Sequence, residues 1–466
     1  MKYWLLGLGT FVLIFILVLV GRNQDDAGPA PDTPHQVFPA PVAVAGVSEN
    51  NPRPRVTEVT VDSPGAVRLV NRVRLAEVAG ITMLQYYEKD TGDQWLYFFD
   101  GTFATHVFLP EFDGIQSDRF DFRGTRFDQA EHVLPALDGI WIFSEAPADN
   151  IEPLLGYMSP VLISHYALTG GPLPTEAVLR SSRTFGDEHS RTGAFTALQS
   201  GGMIASWYQS YVVNPYDDRR LEIGIAYRNP RGKWSTMFPI AVDGSAGGGI
   251  MQSRQALVQH PADGSIWLFN KRDSFHSLEA VHLSETASGF EVDWIDPRFI
   301  NSSDHGDNGV EGEFPGIMAI ADPVRDVIVL AYGDNRFEMT NCGGNCFNKV
   351  THVTVATIAA DGTRSFVTHT PFTIERTTRF GMALKGDSLW FVYKPRALAW
   401  PPSAAPPSPL EVIIYNLKTD SWSQPLALGE PFKASREIAP VFSTPPLDFA
   451  YLMADEKIHY FMIENE

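Results

Sequence analysis

Cysteine is nearly absent: two residues in 466, too few for a disulfide scaffold or a four-cysteine zinc site. Basic residues are outnumbered, 36 against 55, which leaves a formal charge of −19. A field of that sign repels phosphate backbones, so nucleic acid is excluded as a partner. Long amphipathic helices are missing as well, because beyond the N-terminal region no stretch of more than about 12 residues keeps a 3.6-residue apolar period. What the chain has is 44% hydrophobic residues, 12% aromatics, 34 prolines and 38 glycines. It is too apolar to be disordered and too rich in turn residues to be built from helices. Its length allows two or three domains of roughly 100 to 200 residues, or one large repeat architecture.

An uncharged apolar run of 18 residues, 3–20, follows Lys2 and ends at Gly21-Arg22. As a helix it would reach about 27 Å, close to the thickness of a bilayer core. A removed signal peptide is the competing reading, but no Ala-x-Ala-like site follows Val20, and signal-peptide apolar regions are usually shorter. Residues 1–22 therefore read as a signal anchor, one transmembrane helix. No cysteine lies near its end, so a lipoprotein is not suggested. Lys2 on one side and Asp25-Asp26 on the other favour a periplasmic or extracellular body, although Arg22 reduces that asymmetry. Residues 23–55 hold Pro29, Pro31, Pro34, Pro39, Pro41, Pro52 and Pro54, a density that favours extended chain, and read as a stalk.

In the remaining chain, 56–466, short aromatic and β-branched runs alternate with Gly, Asp and Pro, the pattern of an all-β body. One element recurs, a turn followed by an apolar strand: Gly139-Ile-Trp-Ile-Phe, Gly202-Met-Ile-Ala-Ser-Trp-Tyr, Gly264-Ser-Ile-Trp-Leu-Phe, Asp326-Val-Ile-Val-Leu, Asp387-Ser-Leu-Trp-Phe-Val-Tyr and Asp448-Phe-Ala-Tyr-Leu. Positions 139, 202, 264, 326, 387 and 448 differ by 63, 62, 62, 61 and 61. Asp93-Gln-Trp-Leu-Tyr-Phe-Phe, 46 residues before Gly139, reads as a seventh copy. Four antiparallel strands per unit predict a seven-bladed β-propeller. The last unit runs out after its third strand, 457–463, so 56–61 is expected to supply the fourth and close the ring. Six blades with residues 56–125 as an N-terminal cap is the alternative.

Two turns, Tyr227-Arg-Asn-Pro-Arg-Gly-Lys-Trp234-Ser and Tyr415-Asn-Leu-Lys-Thr-Asp-Ser-Trp422-Ser, resemble the Asp-box turn of sialidase-type propellers. Asn229 stands where the Asp belongs and Gly232 falls one place late. A kelch-like pairing of Tyr415 with Trp422 fits the second turn about as well. Asp187-Glu-His189, Gly201-Gly202, Asp263-Gly264 and Lys271-Arg272-Asp273-Ser274 look like the neuraminidase-repeat propellers that include some polysaccharide lyases. The resemblance implies a fold and, in sialidases, an arginine cluster that holds an acidic sugar.

Propeller ligands sit where the innermost strands begin. Arg191, Arg254, Arg379 and Arg436 precede their markers by 11, 10, 8 and 12 residues, so they are candidates to bind a carboxylate in two-pronged fashion. Pairing with acidic neighbours such as Glu375 and Glu437 is the alternative. His189 can serve as general base or neutralise a uronate, with Tyr208, Tyr227 or Tyr393 protonating the leaving oxygen. Glu311 and Glu313, with Glu131, are the carboxylates available for hydrolysis. Asp304, Asp307, Asn308 and Glu311 form the densest oxygen-ligand stretch and could wrap calcium, although without EF-hand spacing; a solvated acidic loop is the simpler alternative. Cys342 and Cys346 flank Gly-Gly-Asn in what reads as a long loop, and outside the cytoplasm they are expected to form a disulfide.

Two functions follow from these residues. One is a membrane-anchored propeller that binds or processes an anionic glycan, by sialidase-like or lyase-like chemistry. The other is a non-catalytic scaffold for a protein partner in the cell envelope.

Overall fold

A computed structural model describes residues 54–61, 74–78, 81–87, 94–99, 104–108, 132–136, 139–145, 161–167, 175–179, 189–212, 219–235, 238–241, 255–272, 277–286, 289–300, 317–341, 345–367, 370–374, 380–395, 408–432, 438–440, 447–452 and 458–465. The chain divides into Met1–Val42 and Ala43–Glu466, and every described residue lies in the second unit. The apolar run 3–20 lies outside the described residues, as does all of the stalk but its last two positions. No described helix is long and apolar enough to cross a membrane.

The described residues are strands and their turns. After β1 (Pro54–Val61) the first sheet holds β2 (Arg74–Val78), β3 (Ile81–Tyr87), β4 (Gln94–Phe99) and β5 (Ala104–Phe108). The second holds β6 (His132–Ala136), β7 (Gly139–Glu145), β8 (Val161–Ala167) and β9 (Thr175–Leu179). The third holds β10 (His189–Ala197), β11 (Met203–Val212), β12 (Arg219–Arg228) and β13 (Phe238–Ala241). The fourth holds β14 (Gln255–Gln259), β15 (Ile266–Arg272), β16 (Ser277–Thr286) and β17 (Gly289–Ile300). In the fifth are β18 (Met318–Asp322), β19 (Val327–Asn341), β20 (Asn345–Ile358) and β21 (Arg364–Val367), with β22 (Thr373–Ile374) also pairing β20. In the sixth are β23 (Gly381–Lys385), β24 (Ser388–Tyr393), β25 (Ser408–Asn416) and β26 (Ser421–Trp422), with β27 (Leu426–Phe432) also pairing β25. The seventh comprises β28 (Ile438–Pro440), β29 (Leu447–Leu452) and β30 (Ile458–Asn465), with β1 as its fourth strand. β1 runs antiparallel to β30 from Pro54↔Asn465 to Val61↔Ile458.

The first strand of each sheet lies beside the first strand of the next: β2 by β6, then β10, β14, β18, β23 and β28, which lies by β2 again. That closed cycle of antiparallel sheets is a β-propeller. Sheets stacked this way are buried on both faces, which explains the continuous apolar second strands. In β15, Ile266 and Leu268 join Ile204, Ile223 and Ile225 of the third sheet in one core cluster. Trp267 and Phe269 join Ile328, Leu330 and Tyr332 of the fifth in another. Val329 and Ala331, the alternate residues of β19, pack with Met382, Leu389 and Phe391 of the sixth. The side-chain period of two thus sends successive residues into successive cores.

Four of the recurring turns carry a left-handed residue one or two positions ahead of the second strand: Gly201 at φ 83, Gly264 at φ 75, Asp326 at φ 53 and Gly386 at φ 56. Glycine adopts this conformation freely and aspartate tolerates it, so Gly and Asp mark the repeat. Gly224 answers a different need. It lies opposite Trp207, and a Cβ there would stand 2.2 Å from the indole ring.

Two expectations change. The Asp93 run forms β4, the third strand of its sheet, whereas the second strand is β3, beginning after the two-residue connection 79–80. The more aromatic strand drew the assignment, and the irregular 46-residue spacing follows from it. The cysteine segment is the tip of a hairpin and not a long loop, since β19 and β20 stay in register out to Thr340↔Cys346 and Asn341↔Asn345. Cys342 lies outside the described residues, among which there is no disulfide.

Candidate functional site

At the end of the cycle where first strands begin, second strands finish and third strands start. His189 is the first residue of β10, opposite Ser210. Arg191 lies within β10, opposite Tyr208, and not in the loop ahead of it. Arg254, Arg379 and Arg436 lie outside the described residues, respectively one, two and two positions ahead of β14, β23 and β28. The strands they precede in sequence, or in the case of Arg191 lie within, are adjacent in pairs, β10 with β14 and β23 with β28. Asp304, Asp307, Asn308, Glu311 and Glu313 fall between β17 and β18, outside the described residues; Glu131, one position ahead of β6, is outside them too.

Sequence reasoning missed a buried polar row at this same end. Gln255, Asn270 and Glu279 are opposite one another across β14, β15 and β16, and their relative exposures are 6%, 1% and 0%. Ser206, buried on β11 of the neighbouring sheet, donates to Gln255 Oε1 at 2.6 Å. The same hydroxyl accepts from the Ala194 backbone N–H at 3.2 Å, where Gly193 interrupts the register of β10 as a bulge. Bulges re-aim side chains and recur beside functional sites. Asn270 and Glu279 are engaged elsewhere in the protein. Gln255 Nε2 is buried and has no hydrogen-bond partner among the described residues, as is also true of the indole N–H groups of Trp207, Trp390 and Trp422. A buried donor left unsatisfied costs about 1–3 kcal/mol, and so asks for an acceptor. The one available sign in the sequence was the polar interruption of apolar runs, Ile266-Trp-Leu-Phe-Asn270 and Leu278-Glu279-Ala.

Among the described residues no cluster of three or more His, Cys, Asp or Glu could hold a metal ion.

Of the described tyrosine side chains proposed as acids, Tyr393 is at this end but deep in the core, stacked on Phe372 at 4.0 Å. Its phenol donates to Glu411 Oε2 at 2.6 Å. Burial, then that bond, hold its pKa far above the ordinary range. Lys394 beside it is buried, with Nζ donating to the Ser408 carbonyl at 2.9 Å. Tyr227 stands at the opposite end of its sheet, donating to Glu285 across to the fourth sheet at 2.5 Å. Burial and this partner push its pKa up to about 12. Neither phenol is placed as a proton donor to a ligand at the first-strand end.

The opposite end carries inter-sheet ties. Asp322, fully buried, accepts from Arg325 at 2.7 Å, and the other arm of that guanidinium reaches Asp387 of the sixth sheet. His260 bridges β14 to the Ile358 carbonyl of the fifth sheet at 3.2 Å. The hairpin turns also lie here. Asn229 Oδ1 accepts from the Arg231 and Lys233 N–H groups, each at 3.0 Å. Asn416 does the same for Lys418 and Thr419, and Tyr415 packs on Trp422 at 4.7 Å. Asparagine performs in these turns the work an aspartate would do.

No protein-family model matches the chain, and no curated protein does. Among solved structures it is similar to an α-L-arabinanase of Penicillium chrysogenum complexed with arabinobiose, at 13% identity and TM-score 0.36 over 79% of this chain and 99% of that one. An α-L-arabinofuranosidase of Fusarium graminearum gives 10% and 0.37 over 70% and 89%. The S. cerevisiae Core Factor gives 8% and 0.40 over 91% and 62%. At such TM-scores these likenesses carry no argument about activity, and the propeller assignment rests on the strand pairing.

Proposed function

We propose that the seven sheets are seven blades of one propeller, closed by β1, and that the protein binds or processes an anionic glycan where the first strands begin. The observation that supports this is the unsatisfied, buried amide of Gln255, next in sequence to Arg254 and on the first strand adjacent to that of Arg191. Guanidinium groups with an amide donor suit a carboxylate-bearing sugar. In this reading Arg379 and Arg436 complete the cluster, His189 supplies the base, and Glu311 and Glu313 the carboxylates. Calcium held by Asp304, Asp307, Asn308 and Glu311 orders the approach to β18. Residues 3–20 anchor the body outside the cytoplasm, and Cys342 with Cys346 pins the β19–β20 tip as a disulfide. The test is a binding screen of residues 51–466 against acidic and neutral polysaccharides. Saturable binding restricted to acidic members supports the proposal, and no binding to any acidic member refutes it.

A second reading, a non-catalytic scaffold, is favoured by one feature: the Ser206–Gln255 bond joins two sheets, as a purely structural staple would.

A further inference from the structure

We propose a second binding site, for an uncharged saccharide, on the outer strand β17, with Trp294 as its platform and Asp293 as its polar anchor. Trp267, His282 and Trp294 are opposite one another on β15, β16 and β17. Trp267 is buried completely, while Trp294, on the outermost strand of this sheet, keeps 37% of its surface exposed. His282 and Trp294 stack at 5.1 Å with 6° between their planes. Trp267 meets both edge-on, at 4.9 and 5.2 Å. The indole also stacks with Phe299 at 6.1 Å, so it is held by the core, and its exposed part is a rigid surface that loses little entropy when something packs on it.

Asp293 is set beside it by a bulge. His282 pairs with Trp294 and Leu283 with Val292, so Asp293 is the extra residue. Its Oδ2 accepts from His282 Nδ1 and from Ser284 Oγ, each at 2.6 Å. Oδ1 accepts nothing among the described residues, and the side chain is 30% exposed. One carboxylate oxygen is thus held in place by two donors and the other is left for a hydroxyl.

Strand addition does not explain the exposed ring. The register of β17 breaks twice, Pro297 interrupts its N–H row, and Glu291, Asp293, Asp296 and Arg298 charge it, which are the devices that keep an edge unpaired. The three carboxylates disfavour an anionic ligand. A cation is held best by several ring faces forming a cage, and here one ring is partly exposed. A sugar matches both parts: its C–H face lies on the indole and a hydroxyl donates to Asp293. This site is on the outer strand, and does not depend on the acidic-glycan reading.

The test titrates full-length protein with cellohexaose, xylohexaose and arabinohexaose, reading tryptophan fluorescence and calorimetry. At least one should bind. Trp294→Ala should weaken it by about tenfold or more, and Trp294→Phe should keep affinity within about threefold. Asp293→Asn should fall between them. Should Trp294→Ala melt early, Trp294→Gln at the same exposed position provides the comparison. The proposal is overturned if none of the three binds, if folded alanine or glutamine variants bind like the parent, or if tetramethylammonium binds there in their place.

Discussion

Ser206 and Gln255, on neighbouring sheets, share a 2.6 Å hydrogen bond that links β11 to the first residue of β14. Its donor is also fixed by the Ala194 N–H at the β10 bulge. The bond thus ties the bulge on one first strand to the start of the next.

Ser206→Ala leaves the amide of Gln255 unsatisfied at both ends. Urea unfolding should show a loss of about 1–3 kcal/mol. Gln255→Leu removes the need for a partner and should be closer to neutral, while abolishing acidic-glycan binding. A leucine variant that binds like the parent assigns the amide to structure alone.

The pairing of β1 with β30 makes truncation informative. Removing residues 1–50 spares β1 and should leave the melting temperature unchanged. Removing 1–62 deletes it and exposes the edge of β30, so melting should fall. Equal melting temperatures would contradict closure by this strand.

Much of this architecture was legible because burial on both faces leaves a trace in sequence. Ile266 to Phe269 are apolar without interruption, as only a strand between two cores needs to be, and Gly264 or Asp326 marks the left-handed turn before it. The first unit misled because β4 is more aromatic than β3. The polar row was not legible. Ser206 and Gln255 are 49 residues apart, and only the register between sheets makes them neighbours. Likewise, a one-residue bulge gives Asp293 its place beside Trp294, and apolar patterning does not encode a bulge.

Tyr227 carries a pH dependence. Its folded pKa, raised to about 12 by burial and Glu285, exceeds the ordinary value near 10. The neutral phenol is therefore favoured by folding, and its contribution is whole below about pH 10 and lost as pH rises toward about 12. Tyr227→Phe should flatten the decline of stability across that window, measured by urea midpoints. An unchanged slope would show that the phenol titrates normally in the folded protein.

Arg325 separates a buried pair from an exposed one. Asp322 has 1% side-chain exposure and Asp387 has 45%. Arg325→Ala strands the buried carboxylate and should cost about 3 kcal/mol, whereas Asp387→Ala should cost about 0–1. Adding Asp322→Asn to Arg325→Ala should recover part of the loss. Equal costs for the two single variants would contradict the assignment.

If arginines at the starts of the first strands hold an acidic glycan, as proposed, binding by Arg254→Ala and Arg379→Ala must show it. Losing one partner of a buried charge-assisted pair costs roughly 2–5 kcal/mol, against about 0–1 for an exposed pair. Each variant should bind the acidic glycan at least about tenfold more weakly than the parent, with its melting temperature retained, and Lys substitutions should rescue poorly. Binding equal to the parent in both alanine variants would contradict the account and leave the scaffold reading in its place.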